Sequence, residues 1–86
     1  MEATNMENTK DYKCNDFYQA VALKTAGIPL IRLEKSSGSF FIFVFDDSEN
    51  KAQEFILLYW KKELKIDAKE FVENISELKT RIHSGI

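Results

Sequence analysis

Apolar positions in this chain fall into short runs between polar segments, and the most apolar run is residues 40–45. It reads FFIFVF, with four phenylalanines, and is followed by the polar residues 46–48. β-branched and aromatic residues that end at turn-forming residues predict a β-strand. Side chains alternate along a strand, so both faces of this one are apolar. Both faces therefore need cover, and what covers the second face is the main functional question.

A partner strand is predicted over residues 30–35, joined to residues 40–46 by a hairpin turn at 36–39. The expected register places Leu33 opposite Ile42. One face of the hairpin then carries Ile31, Leu33, Ile42 and Val44, and this aliphatic face is the expected core side. The other face carries Leu30, Phe41, Phe43 and Phe45 beside Arg32 and Glu34. The charges on that face suit partial cover. Cover of its rings by the second or third helix is favoured over an exposed base-stacking platform, because one small sheet cannot leave such a face in water.

The first helix is predicted over residues 15–26. Asn15 is the expected N-cap, because its side chain can accept a hydrogen bond from the first turn. Gly27 suits the left-handed position after the helix, where Ile28 would complete a Schellman stop, and Pro29 prevents continuation.

The second helix is predicted over residues 48–62. Asp46 and Glu49 have the spacing of a capping box, with Asp47 or Ser48 as alternative caps. One apolar stripe consists of Ala52, Phe55, Ile56 and Tyr59. Further apolar residues, Leu57, Leu58 and Trp60, fill most of the remaining circumference. A helix that is apolar on so many sides is expected to be buried on more than one of them.

The third helix is predicted over residues 67–83, with Asp67 as N-cap and Glu70 as its capping-box partner. A core-facing stripe follows at helical spacing: Phe71, Ile75, Leu78 and Ile82. The connector before this helix, at residues 64–66, is a candidate third strand, and residues 12–14 are a further short extended piece.

These elements predict a small α+β fold in the order α-β-β-α-(β)-α. A two- or three-stranded antiparallel sheet packs against three helices. Residues 1–11 are polar and are expected to form a flexible tail, and residues 12–86 a single domain.

Composition narrows the function classes. The chain has 86 residues, 44% of them hydrophobic, which is enough for one small core. A net charge of −2 gives no basic excess for a phosphate backbone. One cysteine excludes an internal disulfide and fits a reducing compartment. Without an apolar leader or a membrane-length apolar run, the expectation is a cytoplasmic protein with no membrane partner.

Catalytic and metal chemistry have little support in the sequence. His83 is the only histidine and lies in a segment expected to fray. The acids at 46, 47 and 49 have metal-ligand chemistry, but their position at a strand-to-helix corner favours helix capping. Cys14 has no nearby thiol or imidazole with which to bind zinc. We therefore expect no enzymatic activity, no cofactor and no metal.

Three local motifs stand in order along the chain: DFYQA at 16–20, FVFD at 43–46 and IDAKEF at 66–71. Together they resemble a family of short uncharacterised proteins from bacteria and their phages, a domain of unknown function. The resemblance covers about residues 12–82. It implies an α-β-β-α-α arrangement and a prokaryotic, phage or mobile-element setting, and it carries no known activity. Residues 40–45 and 55–60 are more aromatic here than is usual in that family.

The favoured function hypothesis is a small interaction module that self-associates, as a homodimer, or binds another protein. Its candidate partner-binding residues are Phe41, Phe43, Leu57, Tyr59 and Trp60. Trp60 is expected to be partly exposed, because tryptophan is common where a surface is buried only on binding. The alternative is nucleic-acid binding through an aromatic and basic sheet face formed by Arg32, Lys35, Phe41 and Phe43.

Overall fold

The computed structural model describes residues 10–36, 38 and 40–84. The elements, in chain order, are β1 (Asp11–Cys14), α1 (Phe17–Thr25), β2 (Leu30–Lys35), β3 (Phe41–Asp46), α2 (Ala52–Trp60) and α3 (Ala68–His83). The α+β class, the hairpin and the three helices agree with the prediction. Most of the predicted N-terminal tail, residues 1–9, lies outside the described residues.

The sheet has three antiparallel strands in the order β1-β3-β2, so the phenylalanine-rich strand β3 lies in the centre. The third strand comes from the start of the chain, whereas residues 63–67 form no strand. Backbone pairing begins one residue before β1, where the Asp47 N–H donates to the Lys10 C=O at 2.7 Å. Residues 10 and 11 therefore belong to the domain, which corrects the predicted boundary of the tail.

The hairpin register differs by one residue from the prediction. Leu33 lies opposite Phe43, and Glu34 lies opposite Ile42. The connection is also one residue longer than predicted, because β2 ends at Lys35 and the Ser36 N–H donates to the Phe40 C=O at 2.9 Å. Because a shift of one residue moves the side chains of one strand to the other face relative to those of its neighbour, Leu33 shares a face with Phe43, and the predicted grouping of Leu33 with Ile42 and Val44 was wrong.

The aromatic face of the sheet is the core side. Phe43 and Phe45 are 2% and 0% exposed and belong to the main core cluster, against which Phe41 packs. An irregularity between Leu30 and Arg32 brings Leu30 opposite Phe45. The intervening Ile31, which was expected in the core, is 42% exposed.

Helix α1 lies at the centre of the helical side of the molecule. Residues 20–23 have no exposed surface, and the helix contacts β1, α2 and α3. Its N-cap is Asp16, one residue later than predicted, whose carboxylate accepts from the Gln19 N–H at 3.0 Å. It ends in the predicted Schellman stop: Gly27 has φ +106°, and the Ile28 N–H donates to the Leu23 C=O at 3.1 Å.

Helix α3 follows the prediction closely. Asp67 is the N-cap and accepts from the Glu70 N–H at 2.8 Å. The predicted stripe faces the core: Leu78 is fully buried, and Phe71, Ile75 and Ile82 pack against the same cluster.

Helix α2 begins at Ala52, a full turn later than predicted. Residues 47–51 form a turn instead, in which Asn50 has φ +59°. The Asp47 carboxylate accepts from the backbone N–H groups of Lys51 and Ala52, at 2.8 and 2.9 Å. The Asp46–Glu49 capping box was therefore wrong as the start of the helix, and the alternative cap, Asp47, supports the first turn.

Candidate protein-interaction surface on helix α2

Helix α2 presents large apolar side chains to solvent. Only Ala52 is buried among its nine residues. Leu57 is 61% exposed and Trp60 is 63% exposed. Residues three apart are neighbours on a helix surface, so these two side chains form one continuous apolar area. The predicted exposure of Trp60 is confirmed.

The packing of α2 explains this exposure. Its main contact is with α1, and Phe55 and Ile56 pack against the core cluster on that side. A single neighbouring helix covers only one side of a helix that is apolar nearly all round. The sequence therefore predicts more burial than one chain provides, and Leu57 and Trp60 lie on the uncovered side.

An aromatic contact holds the tryptophan ring. The rings of Tyr59 and Trp60 meet edge to face, with centroids 5.5 Å apart and an interplanar angle of 84°. Tyr59 is itself half-buried. An edge-to-face pair is a favoured aromatic geometry, so Tyr59 orients Trp60 before any partner arrives.

Two opposite charges flank the apolar area. Glu54 and Lys61 are both exposed, one near each end of the helix. The Lys61 ammonium lies 3.8 Å from the Glu63 carboxylate, and both of these side chains are more than half exposed. We refer to Glu54, Leu57, Trp60 and Lys61 together as the α2 stripe.

The other two predicted partner-binding residues lie elsewhere. Phe43 is 2% exposed, and its ring meets that of Phe17 at 6.2 Å between centroids. Phe41 is half-buried and packs against the core cluster. Both rings lie on the sheet face that packs against the core cluster. Phe43 is therefore not on a surface that a partner can reach, which corrects its predicted role.

The structure does not bring the predicted nucleic-acid residues together. Arg32 lies opposite Val44, on the face away from Phe43, while Lys35 lies opposite Phe41 at the end of the hairpin. The Arg32 guanidinium is also engaged, 2.8 Å from Glu34 and 3.8 Å from Asp11. Arg32 and the two phenylalanines of that alternative thus lie on different faces of the sheet, while Lys35 is paired with the half-buried Phe41.

Ion-paired side chains cover the second face of the sheet. Val44 has no exposed surface, yet it lies outside the main core cluster. Lys13 on β1 and Arg32 on β2 flank it in the register. The Lys13 ammonium lies 3.6 Å from the Glu34 carboxylate, a contact that joins the two outer strands across β3. Long charged side chains can cover apolar surface with their stems.

The ion pairs on this face change the pKa of Glu34. The hydrogen bond from Arg32, together with the charges of Lys13 and Arg32, holds the pKa of the Glu34 carboxyl below its usual value. Sequence reasoning missed the arrangement, because it depends on the register and on a strand that had been expected to be at most a short extended piece.

The lone thiol is poorly placed for chemistry. Cys14 is 6% exposed, and its Sγ lies 3.5 Å from the Asp16 C=O, to which it donates. Burial raises the pKa of the thiol, which lowers the fraction of nucleophilic thiolate.

Within residues 10–36, 38 and 40–84, no three side chains of His, Cys, Asp or Glu come together as a metal site. In the same part of the chain, every helix is too short or too polar to span a bilayer.

Comparison with known proteins gives a family. No curated protein and no solved structure matches the chain significantly. A family model described as Domain of unknown function (DUF5659) matches residues 9–84, which include every helix and strand described above. The chain therefore belongs to the DUF5659 family, a domain of unknown function.

Proposed function

We propose that the protein is a small interaction module that binds a protein partner through the α2 stripe. One observation carries the proposal. Leu57 and Trp60, at 61% and 63% exposure, are adjacent on one helix, next to an aromatic ring that orients the tryptophan. Isolated exposed apolar residues are normal on a protein surface, whereas a contiguous group around a tryptophan is typical of a binding site.

The energetics support the same role. Removing a leucine side chain from water contributes about 1.5–3 kcal/mol, and interface tryptophans are among the residues whose loss weakens binding by about 2 kcal/mol or more. Folding of one chain gains little of this, because both side chains stay largely in water. Binding to a partner surface would gain it.

The proposal includes no catalytic step, cofactor or metal. The acidic and thiol side chains that could take part in a reaction have structural roles in the fold. Asp47 accepts hydrogen bonds at the start of α2, Asp46 accepts from the Ser48 N–H, and Cys14 is buried in the core cluster.

We also propose a cytoplasmic setting in a bacterium or a bacteriophage-infected cell. A single buried cysteine suits a reducing compartment, and the motif resemblance at residues 16–20, 43–46 and 66–71 suggests the organisms. In a phage, a module of this kind that binds and inhibits a host protein would be one form of the same function.

Site-specific photocrosslinking tests the function directly. A benzophenone amino acid replaces Leu57 in the full chain, which is then expressed in cells of the source organism and illuminated. The matched control carries the same group at Val72, which is 62% exposed on α3. We expect a discrete protein adduct from position 57 and none from position 72. No adduct at position 57, or the same adducts at both positions, would overturn the proposal.

A further inference from the structure

We infer that the partner of the α2 stripe is a second copy of this chain, with the two α2 helices antiparallel about a two-fold axis near Leu57. The inference rests on the proposed function and names its partner. It follows from the order of charged and apolar residues along the exposed side of the helix.

The stripe is self-complementary in charge. Glu54 and Lys61 are both exposed and lie seven residues apart, which is close to two full turns and places them on the same side of α2. In an antiparallel pair, Glu54 of each chain lies opposite Lys61 of the other, so the attraction occurs twice. A parallel pair would instead place like charges opposite each other, which is unfavourable.

The apolar residues occupy the middle of the same arrangement. Leu57 lies between the two charges and therefore meets its own counterpart at the axis. Trp60 lies beside it, near Glu54 of the second copy, whose carboxylate can accept the indole N–H. Tryptophan at an interface requires such a partner for its N–H group. A two-fold contact needs one patch that complements itself, and this stripe meets that condition.

The contact between Lys61 and Glu63 within one chain competes only weakly with a contact from Lys61 to Glu54 of a second copy. Both side chains are more than half exposed, and their charged atoms lie 3.8 Å apart. Exposed pairs of this kind stabilise a fold only weakly. Lys61 is therefore free to reach Glu54 of a second copy.

The expected dimer is reversible and depends on concentration. Helix α2 has nine residues and is about 14 Å long. A stable interface usually buries about 800 Å² on each partner, which is more than one short helix offers. Association should therefore appear as the protein is concentrated and weaken as salt screens the paired charges.

Reciprocal charge reversal in the full chain tests the geometry, with sedimentation velocity as the readout and circular dichroism as a check of folding. E54K makes both opposed groups of each pair positive, and K61E makes both of them negative. Each variant alone should dimerise at least about tenfold more weakly than wild type. In an equimolar mixture, one chain is positive at both positions and the other is negative at both. The heterodimer therefore has only opposed pairs of opposite charge and should form more strongly than either variant pairs with itself. The E54K/K61E chain, in which every opposed pair is again of opposite charge, should dimerise like wild type.

A cysteine at the axis gives an independent readout. Leu57→Cys should form a disulfide-linked dimer under mild oxidation, whereas Val72→Cys, equally exposed on α3, should not. Wild-type protein that stays monomeric at every concentration would overturn the inference. Single charge variants that dimerise like wild type, or a double variant that fails to recover dimerisation, would overturn it too.

The photocrosslinking experiment distinguishes failure of the dimer inference from failure of the proposed function. A position-57 adduct that contains a different protein would leave the interaction module in place and exclude the second copy as its partner. A position-57 adduct that contains only this chain supports both.

Discussion

The side-chain amide of Asn74 on α3 donates a hydrogen bond to the hydroxyl of Thr25 at the end of α1, with nitrogen and oxygen 3.0 Å apart. Asn74 is 6% exposed, and the Thr25 hydroxyl in turn donates to the Val21 C=O at 2.8 Å. The pair forms a polar link between the two helices. Buried polar groups are costly when they lose their partner.

Thr25→Val should therefore destabilise the fold. It keeps the shape of the side chain but leaves the Asn74 amide without its acceptor, at a cost of about 1–3 kcal/mol in the free energy of unfolding. Urea denaturation measures this cost. Asn74→Leu removes the other partner, and the double variant should lose less stability than the sum of the two single losses. Additive losses would show that the hydrogen bond does not couple the helices.

The sequence contained a signal for Asn74. It lies three residues after Phe71 and four before Leu78, so it falls on the apolar stripe of α3, where a polar residue is unexpected. The stripe itself and the Asp67 cap could be predicted, because both depend on short-range spacing. The partner Thr25 could not, since it lies 49 residues away in the chain.

The hairpin shows a second limit of sequence reasoning. Strand positions 30–35 and 41–46 were predicted within one residue, but the register was not. In most hairpins the alternation of polar and apolar residues selects one register. In β3 both faces are apolar, so Leu33 can pair with Ile42 or Phe43 without a clear penalty. The length of the loop decides, and the loop is one residue longer than predicted.

A pair of phenylalanine variants tests which sheet face is the core. Phe43→Ala should cost about 3–5 kcal/mol, because it empties a buried aromatic site. Phe40→Ala is the matched control, since Phe40 is 68% exposed and should change stability by no more than about 0.5 kcal/mol. Both are measured by urea denaturation. Equal losses, or a larger loss at Phe40, would contradict the assignment of the Phe43 face as the core side.

The ion pairs of Glu34 with Lys13 and Arg32, on the sheet face away from Phe43, should make stability depend on pH. The pKa of Glu34 is lowered in the folded chain, mainly by the hydrogen bond from Arg32. A lowered folded pKa contributes stability that is fully present above the unfolded value, near 4.5, and is lost as pH falls below it through the folded value. Wild type should therefore lose stability on acidification through this range.

Glu34→Gln should flatten that part of the stability profile, because the amide does not titrate. Arg32→Gln should flatten it as well, since it removes the main cause of the lowered pKa. The measurement is the urea midpoint followed from about pH 7 to about pH 3. An acid limb as steep in both variants as in wild type would assign the pH dependence to other groups.

The end of α2 contains backbone strain that a glycine would relieve. Lys62 has φ +64°, and the Glu63 N–H donates to the Leu58 C=O at 2.8 Å, as in a Schellman stop. A side chain with a Cβ in this left-handed position costs about 1 kcal/mol or more. Lys62→Gly should therefore stabilise the fold by up to about 1 kcal/mol. Thermal denaturation measures the change.

Two variants serve as controls, one at this stop and one at the end of α1. Lys62→Ala removes the charge but keeps the strain, so it should not reproduce the gain. Gly27→Ala places a Cβ at φ +106°, where nothing lies within 4 Å of it. This variant should lower the free energy of unfolding by more than about 1 kcal/mol, and the loss would come from backbone conformation alone. If Lys62→Ala stabilised the fold as much as Lys62→Gly does, relief of backbone strain could not explain the gain.

Trp60 separates a structural from a binding role for the α2 stripe. Its side chain is 63% exposed, and its described ring contact is with Tyr59 on the same helix. Trp60→Ala should therefore lower the free energy of unfolding of the dilute chain by no more than about 1 kcal/mol. It should weaken association by at least about 2 kcal/mol, roughly thirtyfold, as expected for a tryptophan buried in an interface.

Two measurements on the same samples check this separation. Urea denaturation followed by circular dichroism gives stability, which is necessary because the variant lacks the only tryptophan. Sedimentation velocity gives association, with Val72→Ala as an equally exposed control outside the stripe. A loss of about 3–5 kcal/mol in stability would identify Trp60 as a core residue instead. Unchanged association would place the contact surface away from α2, because an exposed tryptophan at the interface cannot be removed without weakening it.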